Sequence, residues 1–286
     1  MEEKEGFMDL NGRLAVSSVT FRDESLQAAL QRLHGLGFAR LDLVAIRHYC
    51  DHFDPLLVDV GEEECFRVRD LIAAHEMQAV SVTTYPANPL ARQLNGDDWV
   101  EGVDAYVRLG MILQARHLIY PPGGPAPAAD HWRGTVEHAV PWLRDAARRT
   151  LNARMLPAIA LQSNSLLRTS QQGMDFLRVL DVMNVGLAVD PVHLLAMGEN
   201  PVEALRRLGE ATAFVVLRDT NGVSFNLPPG SGTLDYPAIL AVLDEIGYDG
   251  PLVLAIDDIT LPAAQREDLL KQGRDYLFDI SRRKAA

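Results

Sequence analysis

The segment Asp190-Pro191-Val192-His193 puts a carboxylate at the end of an apolar run and an imidazole three residues further on. A turn at that point brings both groups over one opening, where they can share a metal ion, a proton or a sugar hydroxyl. The competing reading makes Asp190 a cap for the helical turn that follows, with His193 packed beneath it. In LRDTNG, followed by LPPGSGTLDYPAIL, Asp219 precedes a loop with Gly230 and Gly232 and a helix start at Asp235. Backbone amides there can hold an anion, and a plain turn is the alternative. In HYCDHFDP, His48 and His52 stand four apart beside Asp51 and Asp54, a spacing that suits a metal if helical and a polar loop otherwise. PLVLAIDD closes on Asp257 and Asp258. With no GxSxG, HExxH or P-loop, the serine hydrolase, zincin and phosphoryl-transfer signatures are missing, and what remains suits a polyol.

Apolar runs supply the elements that must position these groups. Eight read as buried strands: 13–21, 40–46, 78–85, 117–120, 155–162, 184–190, 213–219 and 251–257. Between them, apolar residues at three- and four-residue spacing predict helices over 25–37, 65–76, 99–115, 132–150, 201–209 and 236–247. Asp23 or Ser25, Asn200 before Pro201, and Asp235 are suited to cap helix starts, and Gly37, Gly209 and Gly247 to end helices. This alternation predicts a parallel sheet covered by helices, closing as a single (β/α)8 TIM barrel, with an open doubly wound sheet as the alternative. SSVTFRDESL after the first strand has no glycine, which argues against a dinucleotide fold. In a barrel, function gathers at the C-terminal ends of strands. Arg47, His48, Thr83, Gln162, Asn164, Asp190, His193, Asp219, Asn221 and Asp257 fall there.

The 286 residues fit one barrel, read as an N-terminal tail over 1–11 and a barrel domain over 12–286. A net charge of -12 argues against a nucleic-acid partner. Cys50 and Cys65 form no disulfide framework or cysteine zinc site, no run is long enough to span a membrane, and the start MEEKEGFMDL is no signal peptide. A cytoplasmic protein without a membrane partner is expected, and a homo-oligomer is left open.

VGLAVDPVHLLAMGENPVEAL (185–205) and GSGTLDYPAILAVLDEIGYDGPLVLAIDD (230–258) carry a resemblance to the xylose isomerase-like barrel superfamily. Its members include sugar epimerases, inosose and dehydroshikimate dehydratases and an endonuclease IV branch. The resemblance implies a divalent metal held by Glu, Asp, His and Glu from strands five to eight, with the glutamates also moving a proton beside a carbonyl. Carried over residue by residue, the aspartate falls on Asp190, with His193 as the accompanying substrate contact. The other three positions hold Gln162, Val216 and Ala255. Glutamine is a poor ligand and no base, while valine and alanine offer no donor atom. Asp257, two residues beyond Ala255 and on the same face, is the one conceivable replacement, in a displaced oxygen-rich site with Asp190, Asp219 and Gln162.

The resemblance therefore implies a sugar isomerase or epimerase-like barrel that acts on or binds a small carbohydrate or polyol, with no cofactor and without the usual metal. Asp190 and His193 are the expected catalytic pair, and Gln162, Asn164, Asp219, Asp257 and His48 the expected substrate contacts. The alternatives are a non-catalytic sugar- or partner-binding pseudoenzyme, a metal-dependent isomerase using Asp257, and an endonuclease IV-like nuclease.

Overall fold

The computed structural model describes residues 10–54 and 62–283. Among them, parallel strands close into one barrel in chain order: β1 (Leu14–Ser17), β2 (Arg40–Ala45), β3 (Gln78–Thr84), β4 (His117–Tyr120), β5 (Leu156–Ala160), β6 (Gly186–Val189), β7 (Thr212–Leu217) and β8 (Leu252–Leu254). The ring closes where Leu14 to Val16 pair with Leu252 to Leu254. Each strand lies within or almost within its apolar run, and most are shorter. Residues 13–21, expected as one strand, split at Ser17, whose hydroxyl accepts from the Val19 amide and starts a 3-10 turn over Ser18–Phe21. Residues that follow the strands within these runs, such as Val19, Ile46, Gln162, Asp190, Arg218 and Asp257, supply the mouth at the C-terminal end of the barrel.

The helices are α1 (Leu26–Gly35), α2 (Glu62–Ala74), α3 (Gly96–Leu113), α4 (Trp132–Asn152), α5 (Ser170–Leu180), α6 (Pro191–Ala196), α7 (Pro201–Leu208), α8 (Tyr236–Glu245) and α9 (Ala263–Arg283). Ser25, Asn200 and Asp235 cap α1, α7 and α8 by accepting backbone N–H groups. The helical pattern did not announce α5, α6 or α9. Helix α5 starts at Thr169, whose hydroxyl accepts from the Gln172 amide, and it buries only Ser170, Gly173, Phe176 and Leu180. That apolar signal is too sparse for spacing alone to reveal. No helix among the described residues is long and apolar enough to cross a membrane.

Two apolar layers hold the barrel. Leucines, valines and aromatics on the outward strand faces pack against the helices in one large cluster. Inside the ring, Ala15, Val80, Ile119, Ala158, Ala160, Ala188, Phe214 and Val253 touch one another. Four of these eight are alanine, so the interior fills at its base and leaves space above it.

The loop after β7 is built around a buried anion. Asp219 is fully buried, and its Oδ1 accepts from the amides of Thr220 (2.8 Å) and Leu234 (3.1 Å). Its Oδ2 accepts from Gly230 (3.1 Å) and Gly232 (2.9 Å). A Cβ on Gly232 would stand 2.3 Å from both Asp219 Oδ1 and the Thr220 carbonyl, so only glycine lets the chain approach this closely. Gly230 sits at φ +84°, a left-handed geometry that favours glycine. The amides of the GSG segment do hold an anion, and it is the protein's own carboxylate. Gly232→Ala should destabilise the fold by about 2–3 kcal/mol. Denaturant unfolding checks this, and a variant within about 0.5 kcal/mol of wild type would refute the close approach.

Candidate functional site

Because side chains two apart on a strand share a face, each strand sends alternate residues into the space above the alanine layer. Ser17 and Val19 come from β1 and its extension, Asp42, Val44 and Ile46 from β2, and Thr83 from β3. Gln162 follows Ala160, Asp190 follows Ala188, Arg218 follows Phe214 and Val216, and Asp257 follows Val253 and Ala255. The result is a cavity of about 160 Å³ at the C-terminal mouth, with an apolar floor and polar groups on its walls.

The dominant polar group is one that sequence reasoning passed over. Arg218 Nε donates to Asp190 Oδ2 at 2.7 Å, Nη1 to Asn226 Oδ1 at 2.9 Å, and Nη2 to His193 Nε2 at 3.1 Å. Burial pulls the Arg218 pKa down, but the charge and hydrogen bond of Asp190, with Asp257 adding, raise it above its ordinary value. It is a fixed cation. Asp190 takes the capping role considered for it, Oδ1 accepting from Val192 N at the start of α6 (2.9 Å), while Oδ2 binds Arg218, a partner the sequence reading did not name. Guanidinium can only donate, so His193 Nε2 is an acceptor, while Nδ1 meets Ser163 through its Oγ at 3.0 Å and its backbone N–H at 3.4 Å. Burial, with Arg218 nearby, pushes the His193 pKa down despite the opposing pull of Asp190, which keeps the imidazole neutral. Phe225 meets its ring edge-on, with centroids 6.0 Å apart.

A second pair flanks the first. Asp257 Oδ1 accepts from Arg22 Nε at 2.7 Å, and its Oδ2 is in close contact with the Tyr49 hydroxyl. Asn226 links the two pairs, because its Oδ1 also accepts from Asp257 N and its Nδ2 donates to Asp257 O. The two arginines and two aspartates cancel in charge.

Of the expected site residues, Asp190, His193, Gln162 and Asp257 line this cavity. The Gln162 amide has no side-chain hydrogen bond to the described residues, so it is open to a ligand. Asn164 is exposed outside the cavity, where its carbonyl accepts from Ala126 N. Asp219, on the opposite face of β7 from Arg218, points into the GSG loop. His48 lies in a separate rim hollow with Arg47, Asp51, His52 and Asp54. That segment is a turn with His48 at φ +64°, so the helical spacing needed for a metal is absent. His52 is buried against the Phe21 carbonyl and the Cys50 thiol. Arg218 had one available signal: it is a charged residue on the inward face of β7, two beyond Val216.

The residues present do not fit the divalent cation that this fold family implies. A guanidinium already binds Asp190 and His193, Val216 and Ala255 supply no donor, and Asp219 is turned away. Among the described residues, no three His, Cys, Asp or Glu side chains are grouped to hold a metal.

The family model described as xylose isomerase-like TIM barrel matches residues 30–280. An uncharacterized protein of Methanocaldococcus jannaschii is 30% identical over 109 residues, which is 36% of this chain and 36% of that protein. A D-psicose 3-epimerase of Enterocloster bolteae is 25% identical over 116 residues, which is 41% of this chain and 36% of that protein. The match thus spans about a third of each curated relative. A solved L-ribulose 3-epimerase superposes with a TM-score of 0.76 at 19% identity, covering 96% of both chains, which is a likeness of fold.

The buried imidazole makes stability depend on pH. Because the folded His193 pKa lies below about 6.5, the unfolded chain binds a proton first, and stability falls as pH drops from about 6.5 through the folded value. His52 is pushed the same way, and His117 down to about 4. His193→Gln should therefore lose less stability than wild type between pH 7 and pH 5 in denaturant titrations. Parallel losses would show that His193 titrates freely.

Proposed function

Because this chain belongs to the xylose isomerase-like TIM barrel family, we propose that it acts on a small uncharged keto-sugar or cyclitol at its C-terminal mouth without the family's divalent cation. The observation that carries this reading is the Asp190–Arg218–His193 network, a permanent cation where one ligand of the family's metal set survives. A neutral polyol suits a mouth whose charges cancel.

Moving a proton beside a carbonyl needs an electrophile for the carbonyl oxygen and a base for the carbon-bound proton. Arg218 is the electrophile, fixed by Asp190 and Asn226. A ligand oxygen that takes over the Arg218 Nη2 bond frees the Nε2 lone pair of His193, and the imidazole then serves as the base. Ser163 holds the ring in place through its contacts with Nδ1. Gln162 has an amide left to meet a hydroxyl.

A second reading, binding without turnover, is favoured by one feature: both ring nitrogens of His193 are engaged before any ligand arrives. Incubation with ketohexoses and keto-cyclitols in deuterium oxide, followed by NMR, distinguishes the two. Exchange of the proton beside the carbonyl that survives a chelator and falls about 100-fold in Arg218→Lys supports catalysis. Exchange abolished by the chelator refutes metal independence, and calorimetric binding without exchange establishes the second reading.

A further inference from the structure

Four carboxylates lie in or beside the mouth, and they are satisfied differently. Asp190 and Asp257 face arginines, and Asp219 accepts four backbone amides. Asp42 on β2, 3% exposed and lining the cavity, has only hydroxyls. Ser81 Oγ and Thr83 Oγ1 donate to its Oδ1 at 2.8 and 3.0 Å, and Ser17 Oγ approaches its Oδ2 at 2.9 Å. Hydroxyls compensate a buried negative charge poorly, and no cation is hydrogen-bonded to it. Burial pushes the Asp42 pKa up against the opposing pull of Ser81, Ser17 and Thr83.

The geometry points to the oxygen that a proton on Asp42 would take. Oδ1 already takes two donors, so Oδ2 is the oxygen to carry hydrogen, and Ser17, which can accept as well as donate, tolerates it. The placement says what the proton addresses. β2 and β6 are four strands apart either way round the eight-strand ring, so Asp42 stands across the cavity from Asp190 and its arginine. Ile119, Ala188, Phe214 and Val253 line the apolar space between the two walls.

We propose that Asp42 is the second polar anchor of this cavity, a neutral carboxylic acid whose Oδ2 donates a hydrogen bond to an oxygen of the ligand held against Arg218. The inference deepens the function proposed above and rests on it. It adds a specificity rule: the ligand carries oxygens at both ends of a compact apolar body, as a ring polyol does.

The groups around Asp42 leave its titration separable. Ser17 from β1 and Ser81 and Thr83 from β3 do not titrate. Cys50, the nearby thiol, is pushed up to about 12 by burial, and the Tyr49 hydroxyl is pushed up by partial desolvation and by Asp257. Arg218 pairs with Asp190 and Arg22 with Asp257. His193, lowered by burial, is neutral above its ordinary range.

The test joins infrared difference spectroscopy on the full chain with calorimetry, using D-fructose and myo-inositol as probes, for wild type, Asp42→Asn and Asp42→Ala. Expected at pH 7 is a carbonyl band of an un-ionised carboxyl that Asp42→Asn removes and a bound probe shifts. Probe affinity should fall about tenfold as Asp42 ionises with rising pH. Asp42→Asn, an isosteric neutral donor, should bind within a few-fold of wild type without that pH dependence, while Asp42→Ala loses about tenfold. A missing band at pH 7 overturns the inference. So does a probe that binds all three proteins alike. If neither probe binds wild type, the proposed ligand class falls and the anchor with it, and the band still reports separately whether Asp42 is neutral.

Discussion

The ion pair between Arg218 and Asp190 sets the terms for the whole mouth. A guanidinium placed in the interior of an apolar barrel is strongly unfavourable unless a counter-charge and hydrogen bonds meet it, and removing one partner of such a pair costs about 3–5 kcal/mol. Asp190 supplies the charge, Asn226 takes a second N–H and His193 a third. Because Asp190 also caps α6 and Asn226 also binds the backbone of Asp257, the pair ties the ends of β6, β7 and β8 together. It also makes His193 Nε2 a hydrogen-bond acceptor and occupies Oδ2 of the Asp190 carboxylate.

The rest of the cavity takes its character from that pair. A single guanidinium needs one carboxylate, and here it has one. The mouth is consequently almost electroneutral, with an apolar floor, an ion-paired wall on β6 to β8 and a hydroxyl-lined acid on β1 to β3. The mouth contributes little to holding the fold, because the layer that keeps the barrel together lies below and outside it.

Much of this was legible beforehand. A parallel strand buried on both faces must read as an apolar run, so the eight runs found the eight strands, and caps such as Asn200 and Asp235 follow from backbone groups that need partners whatever the tertiary context. The site was legible where a polar residue closed a strand, as Asp190, Gln162 and Asp257 do. It was not legible where partners decide the role. Asp219 and Arg218 are neighbours at the end of one strand, and the pleat sends one into the loop and the other into the cavity. Asp42 lies inside an apolar run and reads as part of a strand until its neighbours are known. His48 carries a suggestive spacing, but its backbone takes a turn.

The sequence by itself therefore determined the barrel, the order of its elements and the absence of donor atoms at Val216 and Ala255, because these depend on local periodicity and on the chemistry of single side chains. Only the tertiary structure decided that Arg218 meets Asp190 and His193, that Asp219 serves a loop and that Asp42 lacks a cation. Those outcomes depend on which side chains from distant strands share a face of the closed ring. The relation is set by register and closure of the barrel, which no single segment encodes.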